Sequence, residues 1–442
     1  MRGKPLRPRT GSIGRSPSEL SDPRPGVPRP GPAYRVSMRV LRNGAGGVGS
    51  AIAHAANASD VLERVVVTDL DVRRSGRAID GLDERRFSAH ALDASDAVAT
   101  AELARAVRAD VVLNACDPRL NPPIFAAAFD AGCHYLDMAM NLSTAHPERP
   151  YELPGRMLGE EQLAASDRWR ERGLLALVGM GVEPGLSDVF ARYAADHLFA
   201  RIDEIGVRDG GDLVVEGHDF APTFSVWTTI EECLNPPLVW ERERGFFTLP
   251  PFSEPETFVF PEGIGPIECV HVEHEEVRLI PRWIDCRRVS FKYGLGAEFI
   301  EILRMLDKTG LASTTPVRVR GLEVSPREVV AAVLPDPADL GARMRGRTCA
   351  GTWVTGTGTD GAPRDVYLYH LSDNAETMAE HGSQAVAWQT AINPVVALEM
   401  LATGAWQGTG VLGPEAFDAV PFLDRLRERG EPWHVDERFA GP

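Results

Sequence analysis

The segment Gly44-Ala45-Gly46-Gly47-Val48-Gly49 restricts this chain more than any other, because it follows the apolar pair Val40-Leu41 and opens an alanine-rich stretch. Glycines spaced G-x-G-x-x-G between a strand and a helix leave three places without a Cβ. Gly44 permits a tight turn, Gly46 lets backbone approach a pyrophosphate, and Gly49 lets the helix pack closely on the strand. The helix N-terminus then faces the anion with unpaired N–H groups. Gly47 and Val48 complete the loop. A second apolar run, Val65-Val66-Val67, leads to Asp69, twenty residues beyond Gly49, where a carboxylate accepts hydrogen bonds from an adenosine ribose. The expected cofactor is therefore NAD or NADP. NAD is preferred because Asp69 repels a 2′-phosphate, although Arg73 and Arg74 leave NADP open.

From Met38 onward, short apolar runs alternate with amphipathic stretches. Val111-Val112-Leu113 reads as a strand, Ile124 to Ala131 as a helix, and Tyr135-Leu136 and Leu174 to Val178 as further strands. Repeated βα units imply α/β architecture with a doubly wound parallel sheet, a Rossmann domain over residues 38–200. Ligands of such sheets lie beyond the carboxyl ends of strands, which puts Asn114 and Ala115 at the cofactor. Capping of the following turn accounts for Asn114 equally well.

Beyond Ile202 the texture changes. Thr257 to Phe260, Val270 to Leu279 and Val289 to Phe291 read as strands of a second, α+β domain with a mainly antiparallel sheet, over 201–373. The proline- and aromatic-rich stretch 232–266 reads as a long ordered loop. Residues 374–442 read as a C-terminal helical segment, with a kink expected at Pro394. Ahead of all this, residues 1–37 hold eight prolines and eight Lys or Arg against two acids, a composition expected to be disordered. Met38 stands immediately before the first strand, which makes the tail readable as an extension ahead of a second start.

The formal charge of -16 argues against a nucleic-acid surface and suits a cationic substrate. Subtracting the tail's +6 (eight basic minus two acidic residues) leaves about -22 on the remainder. No unbroken apolar run reaches the roughly 18 residues of a membrane span, so no membrane partner is expected. The six cysteines contain no C-x-x-C pair. They read as free thiols, which points to a cytoplasmic protein.

Three blocks together resemble the saccharopine dehydrogenase family and its carboxynorspermidine dehydrogenase and homospermidine synthase relatives. They are Asp110-Val111-Val112-Leu113-Asn114-Ala115, Ala131-Gly132-Cys133-His134-Tyr135-Leu136-Asp137, and Gly179-Met180-Gly181-Val182-Glu183-Pro184-Gly185-Leu186. The resemblance runs from Met38 to about Asp436. It implies a bilobal enzyme, C-terminal helices returning to the Rossmann domain, a homodimer, and reduction of an imine or oxidation of an amine on amino acids or polyamines. Between Ala221 and Pro266 the sequence departs from the polyamine enzymes, so their substrates do not transfer directly.

A cationic reaction centre calls for carboxylates or aromatic faces around it. Glu183, at a strand end, and Gly185, giving backbone access to the nicotinamide, are the first candidates. Trp227, Glu231 and Glu232 offer an aromatic face and acids one helical turn apart for an ammonium, or else a core tryptophan beside a solvated face. His274 and Glu276 share a face if His271 to Glu276 is a strand, and a histidine tuned near neutral pH there exchanges the amine proton. A structural histidine between strands fits the same pattern. Lys292 is a further candidate. No ligands at zinc spacing accompany this cluster, so no metal is expected.

The leading expectation is an NAD(P)-dependent oxidoreductase acting on the C–N bond of a small cationic amine or amino-acid conjugate. Two alternatives keep the fold: a homospermidine-synthase-type transferase that recycles its NAD internally, and a non-catalytic dinucleotide-sensing scaffold.

Overall fold

The computed structural model describes residues 37–218 and 220–438. The expectations for residues 1–37 lie outside the described residues, apart from Ser37.

The first lobe is built on a seven-stranded sheet. Its strands include β1 (Met38–Asn43), β2 (Leu62–Asp69), β3 (Phe87–Ala91), β4 (Val111–Asn114), β5 (His134–Asp137) and β6 (Leu175–Leu177). The spatial order is Gly410–Leu412, β6, β5, β4, β1, β2, β3, with every pairing parallel. Such sheets are covered on both faces, so their strands are apolar throughout rather than alternating. Leu41, Val67, Val111, Val112 and Leu113 are accordingly buried. Between β1 and β2 runs α1 (Gly47–Asn57), whose buried Ala51, Ile52, Ala53, Ala55 and Ala56 let it lie close to the sheet.

The second lobe is a nine-stranded sheet centred on the long β7 (Phe199–Gly211). The strand Arg347–Gly358 pairs with β7 antiparallel, and Arg288–Tyr293 pairs with it parallel. The other pairings in this sheet are antiparallel. Two readings from sequence are corrected here. The stretch 232–266 is not a loop but contains the strands Leu238–Glu241, Gly245–Thr248 and Glu256–Phe260. Val270 to Leu279 is not one strand: pairing ends at His271, and Glu276–Leu279 is a short helix, so His274 lies in the connection.

The C-terminal segment joins both lobes. Helix Ala385–Thr403 continues through Pro394 and packs on α1 and β2, Gly410–Leu412 completes the first sheet, and Trp433–Glu437 pairs in the second. By length and composition this helix is apolar enough to cross a membrane, but it is the protein's own core that covers it.

Candidate active site

A cleft of about 780 Å³ opens between the lobes, lined on one side by the glycine loop and strand ends and on the other by Trp227, Glu232 and Leu334 to Ala338. The glycines perform distinct tasks. Gly44 has φ +94°, and a Cβ there would meet the Ala115 carbonyl oxygen at 2.5 Å. At Gly49 a Cβ would lie 2.4 Å from the Gly44 oxygen. Gly46 is different, since the nearest atom to its Cβ would be Arg74 Nη2 at 3.8 Å. This residue caps α1 without a side-chain hydrogen bond, leaving an open cradle at a helix N-terminus. Gly47 and Val48 line the same cleft, and Gly47 approaches Ala338 of the opposite lobe. The cradle fits a dinucleotide pyrophosphate.

Asp69 lines the cleft with Oδ2 accepting from Ala45 N at 3.0 Å and Oδ1 accepting from Asp71 N at 3.1 Å. Arg74 Nε stands 3.9 Å from this carboxylate, whereas Arg73 turns away to Asp71. Ala115 and Asn114 line the cleft as well. The Asn114 side chain, however, donates to Asn121 at 2.7 Å and Tyr135 at 3.2 Å, while its oxygen accepts from Cys116 N at 3.0 Å. The side chain thus ties down the following turn while the residue lines the cleft, so the geometry accommodates both sequence readings.

At the other end of the cleft stands a set of carboxyls. Glu183 lines the cleft, yet both its oxygens are buried and neither accepts from an N–H or hydroxyl among the described residues; what faces them is a second carboxyl, Asp209. Burial, reinforced by the adjacent Asp209, holds its carboxyl far above the usual range. Burial raises Asp209 to about 6, against the opposing hydrogen bonds of Glu183 and Tyr293. Two facing carboxyls can hydrogen-bond only if one keeps its proton, so they act as a coupled pair. Glu232, open in part to the cleft, is raised by burial to about 8, and Asp137, at the end of β5, to about 7.

His274 lies behind these acids and does not line the cleft. It is 4% exposed, stacks on Phe291 with ring centroids 3.9 Å apart, and places Nδ1 2.6 Å from Glu276 Oε2. Burial opposes its charge, but Glu276, Glu275 and Glu232 outweigh burial and raise the imidazole to about 10. The expectation is of a histidine tuned near neutrality at the reacting nitrogen; the structure instead sets this imidazole away from the cleft lining, among carboxylates that favour its charged form. Potential ligand atoms of His274, Glu275 and Glu276 lie within 4.8 Å of one another. They are engaged by protein, Glu276 with His274 and Ser187, and Glu275 with Met140 N.

Other sequence candidates separate. Trp227 lies in the first turn of the helix Val226–Leu234 and lines the cleft, but its ring is covered by Arg119 at 4.0 Å and Arg327 at 4.7 Å, so the face proposed for an ammonium is taken. Glu231 is paired with Arg327 and bonded by Asn235. Lys292 donates to Glu254 O and Glu256 Oε2, both at 2.7 Å, in an ion network away from the cleft. Gly185 has φ +134°, and a Cβ there would meet the Gly181 oxygen at 2.2 Å, so a turn against Gly181 requires glycine at this position. Sequence reasoning missed Asp137 and Asp209. Asp137 ends a strand, the signal that singled out Asn114, whereas Asp209 sits inside β7 with no local mark.

The comparisons agree with this layout. Residues 40–177 match the saccharopine dehydrogenase NADP binding domain, and residues 181–431 match the saccharopine dehydrogenase C-terminal domain. Carboxynorspermidine synthase of Vibrio alginolyticus is 31% identical over 418 residues, covering 91% of this chain and 98% of the relative. Carboxyaminopropylagmatine dehydrogenase of Synechocystis sp. is 30% identical over 409 residues, with the same coverage of 91% and 98%. Apo saccharopine dehydrogenase (L-Glu forming) from Saccharomyces cerevisiae shares the fold, with TM-score 0.65 at 13% identity, covering 91% of this chain and all of that one. An open glycine cradle for NAD(P), a second mixed-sheet lobe closing the cleft, and matches to both family domains make this chain an NAD(P)-binding oxidoreductase of the saccharopine dehydrogenase family.

Proposed function

We propose that the protein reduces an imine, or oxidises the corresponding amine, at the C–N bond of a polyamine or amino-acid conjugate. The observation that carries the reading is Glu183: a cleft-lining carboxyl whose two buried oxygens face a second carboxyl, Asp209, and meet no N–H or hydroxyl donor among the described residues. Two buried carboxyls facing one another are costly unless they share a proton or a cation arrives. A substrate ammonium or iminium supplies that cation. The names of the relatives, a carboxynorspermidine synthase and a carboxyaminopropylagmatine dehydrogenase, support an amine substrate.

A dinucleotide held in this cradle would supply or accept the hydride. Gly44, Gly46 and Gly49 would hold its pyrophosphate, Asp69 would meet its ribose, and Leu334 to Ala338 line the cleft opposite the loop. When the cationic nitrogen enters, the pair Glu183 and Asp209, which carries one negative charge while sharing a proton, is its counter-charge. Charge complementarity of this kind is strongest where water is excluded. Glu232 and Asp137 extend the acidic wall. His274, held as an imidazolium, keeps Glu275 and Glu276 from adding unbalanced charge behind it.

The direct test is a turnover screen of diamines and amino acids, each with and without 2-oxo acids or aldehydes, following NAD(P)H absorbance. Net NAD(P)H change with an amine present is expected, and added salt should raise KM by screening. Turnover without net NAD(P)H change would indicate internal recycling, and turnover confined to neutral or anionic compounds would overturn the proposal.

A further inference from the structure

Arg42 is the most exceptional unpaired charge near the cofactor cradle. It lies in β1 between Val67 of β2 and Leu113 of β4, two residues ahead of the glycine loop. The residue is 0% exposed, and Nε, Nη1 and Nη2 all lack a hydrogen-bond acceptor among the described residues. Nη1 would stand 2.9 Å from a Cβ at Gly49, so the guanidinium is tucked under the first turn of α1. Glycine at 49 thus makes room for Arg42 as well as for the Gly44 carbonyl.

A guanidinium carries five donors in a fixed fork, and leaving all of them unmet in the interior is destabilising. Its electrostatic neighbours do not cancel it. Burial lowers it to about 10, which leaves it charged, and its two raising influences are Cys116 and Asp69. Burial drives the Cys116 thiol up to about 12, so it stays neutral. Asp69 already accepts from the Ala45 and Asp71 amides and has Arg74 nearby. On the far side of the loop is the open cradle at the uncapped start of α1.

We propose that Arg42 is a buried counter-charge for the phosphates of the bound dinucleotide, acting through the glycine turn rather than by contact. Among the described residues no acceptor hydrogen-bonds this cation, and the dinucleotide phosphates would supply the missing counter-charge. Folding and cofactor binding are thereby coupled, because part of the cost of burying Arg42 is recovered only on binding. This inference concerns the nucleotide alone and stands whether or not the substrate is an amine.

The experiment compares wild type with Arg42→Met and Arg42→Lys in the full chain, stripped of nucleotide, by thermal melting and by binding titration. The probes are NADH, NADPH, inorganic pyrophosphate and adenosine. Arg42→Met should melt at the same temperature as wild type or higher when empty, since an apolar side chain replaces an unpaired buried charge. Its NADH and NADPH dissociation constants should rise about tenfold or more, the scale of one charge pair at intermediate dielectric. Stabilisation by pyrophosphate should shrink, adenosine affinity should stay unchanged, and Arg42→Lys should keep most of the phosphate response. An empty Arg42→Met protein that melts lower while binding NADH within twofold of wild type would show a structural arginine. Equal losses for adenosine and NADH would also overturn the assignment. Should Arg42→Met fail to fold, Arg42→Gln takes its place; failure of both overturns the proposal, because a charge serving the ligand is dispensable to the empty fold.

Discussion

His274 Nδ1 and Glu276 Oε2 stand 2.6 Å apart in an ion pair almost wholly shut off from solvent. Glu275 approaches the same ring nitrogen at 3.5 Å, so one imidazolium serves two carboxylates. Removing one member of a buried pair leaves the other charge uncompensated, at a cost of about 3–5 kcal/mol. His274→Asn should therefore lower the melting temperature markedly. It should also leave any pH-rate limb between pH 6 and 8 in place, because the imidazole is raised to about 10. Loss of a limb near neutrality in a variant of wild-type stability would restore His274 as a proton-exchanging group.

Much of the first lobe was legible because its signals are local. Glycines at 44, 46 and 49, an acid at 69 and apolar runs of parallel-strand type each report their own backbone setting. The strand Phe87–Ala91 escaped notice because Ser88 and His90 interrupt its apolar run, and Gly410–Leu412 because it enters the sheet from the far end of the chain. In the site, Glu183 was legible as a strand-end acid. Its partner Asp209 was not, because the pairing is made by two lobes meeting, and nothing near residue 209 encodes it. The alternation of His271 to Glu276 misled for a related reason: a turn and a short helix place three charged side chains on one another, and only tertiary packing decides that.

Glu183→Gln preserves shape while removing the negative form. With the counter-charge gone, kcat/KM for an amine substrate should fall by about 10²-fold or more, the scale of losing one electrostatic stabiliser in a closed site. Nucleotide affinity should hold, since the glycine cradle is untouched. Asp209→Asn should shift the pH optimum through the same shared proton. Steady-state kinetics across pH, paired with NADH titration, reads both effects; wild-type kcat/KM in Glu183→Gln would remove this residue from the site.

Asp69, at the end of β2, and Arg74, 3.9 Å away in the helix that follows, predict the choice of cofactor. The carboxylate favours free ribose hydroxyls and repels a 2′-phosphate, while the guanidinium attracts one. Wild type should bind NAD more tightly than NADP. Asp69→Ala should weaken NAD and relax the discrimination, and Arg74→Ala should weaken NADP selectively. Titration of all three proteins with both nucleotides decides the matter, and a wild-type preference for NADP of tenfold or more would show that Arg74 dominates.

The acidic wall also predicts how stability follows pH. Burial raises Glu232 to about 8 and Asp137 and Glu273 to about 7, each from a carboxylate value near 4. For groups raised on folding, stability is complete below the unfolded value and is lost as pH climbs through the folded one. His274, raised from 6.5 to about 10, has the same sign and extends the loss to higher pH. The empty protein should therefore melt at a higher temperature near pH 5 than near pH 8. A protonated diamine such as propane-1,3-diamine should flatten that slope, because its ammonium groups neutralise the carboxylates that rising pH exposes. Glu232→Gln should flatten it without any ligand, since the group raised furthest among these acids is then uncharged at every pH. Melting curves from pH 5 to 8 on both proteins, with and without the diamine, provide the check. A melting temperature that rises toward pH 8, or a slope untouched by Glu232→Gln, would mean that these carboxyls are solvated and that the cleft is not the acidic receptor for a cation argued above.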